Sequence, residues 1–293
     1  MPTNLIAATQ RFGPPQRREW VTELPRIVRE VSDRWELALG EPYQPGGQCS
    51  WVAPARDRAG RDLVLKVGWT HEDNRDEAAG LRRWGGNGAI TVFDELVNGP
   101  TTALLLERCD PGTTLATACP EDEQDEVVAA VLIRLWQAPT DGPFRPLDEM
   151  CATWADEFEA ELAVASTDGP DRYDLDRGIV RAGVELYRSL ARSATRTVLL
   201  ATDLHAENIL AARRQPWLAI DPKPYLGDPT FDALQHLLNR ELAPDPLAAV
   251  NRMAELLELD PQRLTAWLFG RCVIESIWMP QIRWVATALS ARI

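Results

Sequence analysis

The chain has 293 residues, long for a single core and suited to two lobes. Its 44 acidic side chains outnumber 31 basic ones, and the net charge of −13 excludes a nucleic-acid backbone as the main partner, since that demands a basic face. The same charge suits a cationic ligand or plain solubility, and a composition of 45% hydrophobic and 26% charged residues excludes wholesale disorder.

The opening stretch MPTNLIAATQRFGPP lacks the basic start and apolar core of a signal peptide, and its first ten residues read as loose. No apolar run approaches the ~20 residues of a membrane span. A soluble, cytoplasmic protein with neither membrane nor nucleic-acid partner is therefore expected. From Arg18 to Trp35 apolar residues recur at helical spacing (Trp20, Leu24, Ile27, Val28, Val31), interrupted by Pro25. Strand-like runs follow at 35–39, 49–53 and 63–67. Residues 71–84 read as a helix that the Gly85–Gly88 cluster ends, and two more strands are predicted at 90–93 and 102–107. After the turn signal Asp110-Pro111-Gly112 helices take over, at 121–136, 147–165 and 177–191. A β-rich patch at 197–210 and 217–220 interrupts them before helices resume near Thr230. This order predicts an α+β fold of two lobes, with a lobe over 1–108 that holds an N-terminal helix, a small β-sheet and one further helix, and a helical lobe over 109–293. The cleft of such a fold is the default ligand site. Five cysteines, Cys49, Cys109, Cys119, Cys151 and Cys272, include no CxxC pair and point to a reducing compartment without disulfides or structural zinc.

Chemistry concentrates in LLATDLHAENILAARRQPWLAIDPKPYLGDPTFD, residues 199–232. Asp203 is followed five positions later by Asn208 and thirteen beyond that by Asp221, each beside a hydrophobic strand-like run. That layout delivers three oxygen-bearing side chains to one end of a buried hairpin. Phosphoryl transfer needs such a set: a carboxylate to orient and deprotonate the attacking hydroxyl, and two oxygen donors for Mg²⁺. Lys66 lies within the apolar strand Leu63-Val64-Leu65-Lys66-Val67 and is one of only two lysines, the other being Lys223. A lysine on such a strand is costly unless it meets an anion.

D-L-H-A-E-N followed by I-D-P resembles the catalytic and metal loops of the aminoglycoside phosphotransferases, relatives of protein kinases, and WLAIDPKPYLGDPTFD resembles their streptomycin 6-kinase and hydroxyurea phosphotransferase branch. The resemblance runs from about Trp35 to Trp278. It implies a bilobal protein-kinase-like fold, ATP and Mg²⁺ as cofactors, Asp203 as catalytic base, Asn208 and Asp221 as metal ligands, and Asp228 as a loop-bracing carboxylate. It also implies that Lys66 grips the nucleotide phosphates and pairs with Glu77, with Glu72 and Asp76 as competitors. Gly46, Gly47 and Ser50 would approach the phosphates, although a plain hairpin turn also explains the two glycines. Glu107 and Cys109 would stand at the hinge whose backbone meets the adenine.

Two departures from the family pattern matter. Ala201 stands where a histidine commonly precedes the catalytic aspartate, and His205 is expected to brace the loop by hydrogen bonding. Lys223, two residues from Asp221, either balances phosphate charge or is solvated. For the acceptor, the resemblance implies acidic and aromatic groups of the helical lobe: Asp232, Glu275, Trp278 and Glu157. A guanidinium-bearing aminocyclitol such as streptomycin would fit them, phosphorylated at its 6-hydroxyl as a resistance mechanism. The rival readings are a kinase for an endogenous sugar or other small molecule, and a non-catalytic pseudokinase that binds nucleotide or antibiotic. A monomer or homodimer is expected.

Overall fold

The computed structural model describes residues 1–167, 173–242 and 245–293. They form two compact units, Met1–Gly112 with Ala211–Leu218, and Thr113–Leu210 with Ala219–Ile293.

The first unit contains α1 (Thr3–Phe12), α2 (Pro15–Arg34), β1 (Ala38–Leu39), β2 (Ser50–Arg56), β3 (Asp62–Trp69), α3 (Glu77–Trp84), β4 (Val92–Asn98) and β5 (Thr101–Glu107). The strands form one antiparallel sheet in the order β1-β2-β3-β5-β4. Strand alternation sets its two faces. Trp51 pairs with Val67, and Ala53 with Leu65, which pairs in turn with Leu105. These buried side chains pack with Trp20, Leu24, Val28 and Val31 of α2 and Leu5 of α1 into one core. The opposite face carries Ser50 beside Gly68, and Val52 beside Lys66, which is followed in register by Leu104.

The first residues are helical rather than loose. Leu5, Ala8 and Thr9 recur at helical spacing and are buried. So short a helix gains its stability from docking, which leaves only a weak mark in local sequence. Pro25 does not interrupt α2 either. It removes one hydrogen bond, but the apolar stripe on both sides of it stays buried against the sheet. The helix predicted over 71–84 is divided. Asn74 accepts from the His71 amide at 2.9 Å and donates to the Trp69 carbonyl at 2.9 Å, which closes a local turn, and α3 starts only at Glu77.

The second unit contains α4 (Leu115–Ala118), α5 (Glu121–Leu135), α6 (Leu147–Thr167), α7 (Arg177–Arg192), β6 (Val198–Leu200), β9 (Tyr225–Gly227), α8 (Pro229–Asn239), α9 (Pro246–Leu257), α10 (Pro261–Glu275) and α11 (Arg283–Ser290), and the short strands β7 (Ile209–Ala211) and β8 (Trp217–Ala219) fall at the boundaries of the Ala211–Leu218 segment that belongs to the first. Strand β6 pairs antiparallel with β9, and β7 lies beside β8. Three of the helices start on the same device. Asp228, Asp245 and Asp260 cap α8, α9 and α10 by accepting backbone N–H bonds, and each is followed by proline at the first helical position, whose missing N–H costs nothing there. Helix α10 is the central post. Its Trp267 meets Tyr187 of α7 and Phe231 of α8 edge-on, at centroid distances of 5.6 and 5.1 Å. Helix α7 approaches α10 closely because Gly183 has no side chain: a Cβ there would fall 2.5 Å from Val273.

Candidate active site

In the second unit, the site grows from the chain leaving β6. Ala201 and Thr202 follow the strand, and their amides donate to Asp232 at 3.1 and 2.7 Å. Trp136 Nε1 donates to the same carboxylate at 2.9 Å. Asp232 is wholly buried, and burial pushes its carboxyl up to about 6 against the downward pull of Trp136 and the two amides. This corrects the expectation that Asp232 meets the acceptor. Its oxygens are spent on holding the loop, and no solvent reaches them.

Thr202 adopts φ +52°, a conformation that a β-branched residue rarely takes. Its hydroxyl donates to the Lys223 carbonyl at 2.6 Å, and the Lys223 amide donates to the Ala201 carbonyl at 2.8 Å. Residues 201–203 and 221–223 are thereby locked side by side. The Lys223 ammonium then reaches Asp203 Oδ2 at 2.5 Å, with both side chains partly open to solvent. Asn208, in a 3-10 turn after His205, donates Nδ2 to the Asp203 carbonyl at 3.0 Å. Its Oδ1 is left as an oxygen donor. The Ile220 amide donates to the Asn208 carbonyl at 2.9 Å, which ties the chain just before Asp221 to the turn that carries Asn208. Asp221 also adopts φ +52° and is exposed.

One exposed carboxylate and one amide oxygen fit a hard cation such as Mg²⁺, which prefers oxygen donors. Among the described residues no cluster of three or more His, Cys, Asp or Glu could hold a metal ion by itself. His205 does not show the expected bracing bond at Nδ1, which is buried without a hydrogen-bond partner among the described residues. Burial lowers the pKa of its ring, opposed by the charges of Asp203 and Glu207.

Asp228 is a brace within the same unit. Besides capping α8 it accepts from Arg263 Nε at 2.6 Å and Trp267 Nε1 at 2.7 Å, which ties the end of β9 to α10. The other expected acceptor groups differ in state. Glu157 is exposed on α6. Glu275, the last residue of α10, pairs with Arg271 at 2.8 Å. Arg271 is buried and stacks 4.1 Å above the Trp154 ring, so Glu275 already has a cationic neighbour. Trp278 lies one turn beyond the helix end and is 49% exposed.

In the first unit, Lys66 is buried on the sheet face opposite α2, and its ammonium meets both oxygens of Glu77, at 2.8 and 2.7 Å. Ser50 shares that face, with its Oγ so close to Gly68 that a Cβ there would fall 2.7 Å from it. Of the paired glycines before β2, Gly46 has φ +74° and is pressed against Pro2, while Gly47 has open space beside it. At the end of β5, the Glu107 carboxylate accepts from Arg214 at 2.9 Å on each oxygen and from the Thr91 amide at 2.9 Å. Burial alone would raise its pKa, but these donors outweigh it and hold the carboxyl below its usual range. Cys109 is buried, and its thiol is pushed up to about 12 by burial and by Glu107. Arg214 carried no signal in sequence. It stands in the turn after β7 and also donates to the Gly86 and Ala89 carbonyls, at 2.5 and 3.0 Å.

Residues 34–282 match a family described as aminoglycoside/hydroxyurea antibiotic resistance kinases. Over 286 residues the chain is 35% identical to a streptomycin 6-kinase of Streptomyces griseus, a match that covers 95% of this chain and 90% of that protein. It is 33% identical to a hydroxyurea phosphotransferase of Kitasatospora aureofaciens, covering 95% and 79% respectively. Among solved structures, the aminoglycoside phosphotransferase APH(4)-Ia, in complex with ADP and hygromycin B, superposes with a TM-score of 0.61 at 15% identity, covering 90% of this chain and 96% of that one. The choline kinase LicA from Streptococcus pneumoniae gives 0.60 at 15% identity, covering 90% and 92%. The fold is thus the protein-kinase-like α+β fold that the motifs imply.

Proposed function

Because this chain belongs to the aminoglycoside/hydroxyurea antibiotic resistance kinases, we propose that it transfers the γ-phosphate of ATP to the 6-hydroxyl of streptomycin or a closely similar aminocyclitol, in the cytoplasm, as a resistance enzyme. One observation carries the reading. Asp203, Asn208 and Lys223 are tied to one another by hydrogen bonds, the Ile220 amide bonds back to the Asn208 carbonyl just before Asp221, and the backbone is strained at residues 202 and 221.

Asp203 accepts the proton of the acceptor hydroxyl as its oxygen attacks the γ-phosphorus in line. The bond from that phosphorus to the bridging oxygen breaks, and ADP leaves. Asn208 Oδ1 and the Asp221 carboxylate would hold Mg²⁺, which would neutralise charge on the phosphate oxygens. Asn208 cannot turn freely, because its Nδ2 is fixed on the Asp203 carbonyl. Lys223 holds the Asp203 carboxylate in place through their ion pair until acceptor and nucleotide arrive. Lys66, oriented by Glu77, steadies the α- and β-phosphates, and the backbone after Glu107 receives the adenine. Glu157, Glu275 and Trp278 contact a cationic acceptor, drawn by the net charge of −13.

The test is mass spectrometry of streptomycin incubated with the protein, ATP and Mg²⁺. A gain of one phosphate is expected, positioned on the 6-hydroxyl by fragmentation and absent with Asp203→Asn. Hydroxyurea and simple sugars belong in the same panel, because the hydroxyurea phosphotransferase relative favours that second reading. Phosphorylation of one of those and not of streptomycin would overturn the acceptor. Nucleotide binding without phosphate transfer to any member of the panel would overturn the catalytic role.

A further inference from the structure

The glycine turn between β1 and β2 is held from outside its own hairpin. Its flanks are ordinary: the Gly40 and Tyr43 amides bond across to Pro54 and Val52. The turn itself is gripped by the first residues of the chain. The Asn4 amide donates to the Pro45 carbonyl at 3.1 Å, and Asn4 Nδ2 donates to the Gly46 carbonyl at 2.9 Å. Gln44 exchanges bonds with the Thr3 amide and the Met1 carbonyl, both at 3.2 Å. Arg17, at the start of α2, donates Nη2 to the Gln48 carbonyl. Pro2 is buried against Gly46, where a Cβ would fall 2.6 Å from it. The gripping residues are themselves anchored, since Leu5 is fully buried in the core under the sheet.

This arrangement divides the labour of the two glycines. Gly46 is glycine because the left-handed backbone and the contact with Pro2 leave no room for a side chain. Gly47 is exposed on its open side, on the stretch that leads to Ser50 and the face of Lys66. A loop whose backbone N–H groups are to receive phosphate oxygens binds in proportion to the fraction of time it holds the competent shape.

The geometry points to the N-terminal segment, residues 1–17, as the positioning element of the nucleotide site. Asn4 and Arg17 fix the carbonyls of Gly46 and Gln48 so that the turn stays preformed for a nucleotide triphosphate. This inference rests on the nucleotide reading given above and adds to it a segment outside the loop and outside the catalytic motifs.

The experiment titrates ADP with Mg²⁺ into the full chain by calorimetry, with no acceptor present. Asn4→Asp keeps the shape but turns an acceptor toward the Gly46 carbonyl. Arg17→Ala removes the second grip, and Arg17→Lys restores a donor. Each of Asn4→Asp and Arg17→Ala is expected to raise the nucleotide Kd about fivefold, the equivalent of one lost hydrogen bond. Arg17→Lys is expected to recover most of that loss. The KM for ATP should rise in step, with kcat and the acceptor KM unchanged, a split that general destabilisation would not produce. Circular dichroism and amide exchange of residues 46–48 on the folded variants separate loosening of the turn from unfolding. If both variants stay folded and bind ADP within twofold of the parent, the positioning role is overturned. If the parent itself binds no ADP, it is the nucleotide reading that falls.

Discussion

Glu77→Gln isolates the charge of the buried pair while keeping its shape. The Lys66 and Glu77 side chains are 11% and 3% exposed, and the ammonium lies 2.7–2.8 Å from both oxygens. At that distance and an effective dielectric constant near 20 the gross attraction is about 6 kcal/mol. Desolvation of both ions cancels much of it, yet removing one partner takes the two-oxygen counter-charge from a buried ion, at a cost of about 3–5 kcal/mol. Glutamine still offers one acceptor oxygen, so the low end, about 3 kcal/mol, is expected for Glu77→Gln, and a similar loss for Lys66→Met. The double variant should be destabilised by less than the sum of the singles, with a coupling of about 2–3 kcal/mol, because replacing both members removes both buried charges together. Equilibrium urea unfolding followed by tryptophan fluorescence measures the cycle. Single losses below about 0.5 kcal/mol that simply add would refute a stabilising buried pair. Nucleotide affinity of the same variants gives a separate reading, and Lys66→Met should weaken it even where stability is recovered.

Asp203→Asn should cut acceptor-dependent ADP release by about 10³-fold or more while the Kd for nucleotide changes little, as steady-state kinetics and calorimetry would show. Lys223→Met removes the partner of Asp203, and kcat should fall about 10–100-fold with the loop intact by amide exchange. Asp232→Ala strands the amides of residues 201 and 202 and the Trp136 N–H, for a loss of about 3–6 kcal/mol in urea unfolding. Asp232 also predicts a pH trend. Its folded carboxyl titrates near 6, above its ordinary 3.8, so its stabilising contribution is complete below about pH 4 and is lost as pH rises through 6. The slope of stability over that window should be shallower in Asp232→Asn than in the parent.

What could be read from sequence was whatever chemistry leaves a local mark. Asp203, Asn208 and Asp221 each follow or precede a short apolar run, and their spacing alone put them on neighbouring turns. Lys66 stood out as an isolated ammonium in an apolar strand, and in the structure it meets Glu77 rather than remaining a surface charge. What sequence hid depends on long-range partners. Asp232 has the sequence setting of any acidic residue in a first helical turn, and only the chain returning from β6 reveals it as a buried brace. Glu275 looked available until Arg271, itself buried over Trp154, took it as a partner. Arg214 joins the first unit from a turn more than a hundred residues downstream of the strand it clamps, and no local pattern encodes that. Helix α1 escaped notice because its stability resides in the surface it covers.

The near-absence of lysine makes covalent labelling of this protein by amine reagents unusually selective. Apart from the chain's amino terminus, a primary-amine reagent has two targets, Lys66 and Lys223. The first is sealed behind its carboxylate partner, and the second is about one-third accessible beside Asp203. Mild acylation followed by peptide mapping would thus report on occupancy of the loop around Asp203 directly, without any engineered probe.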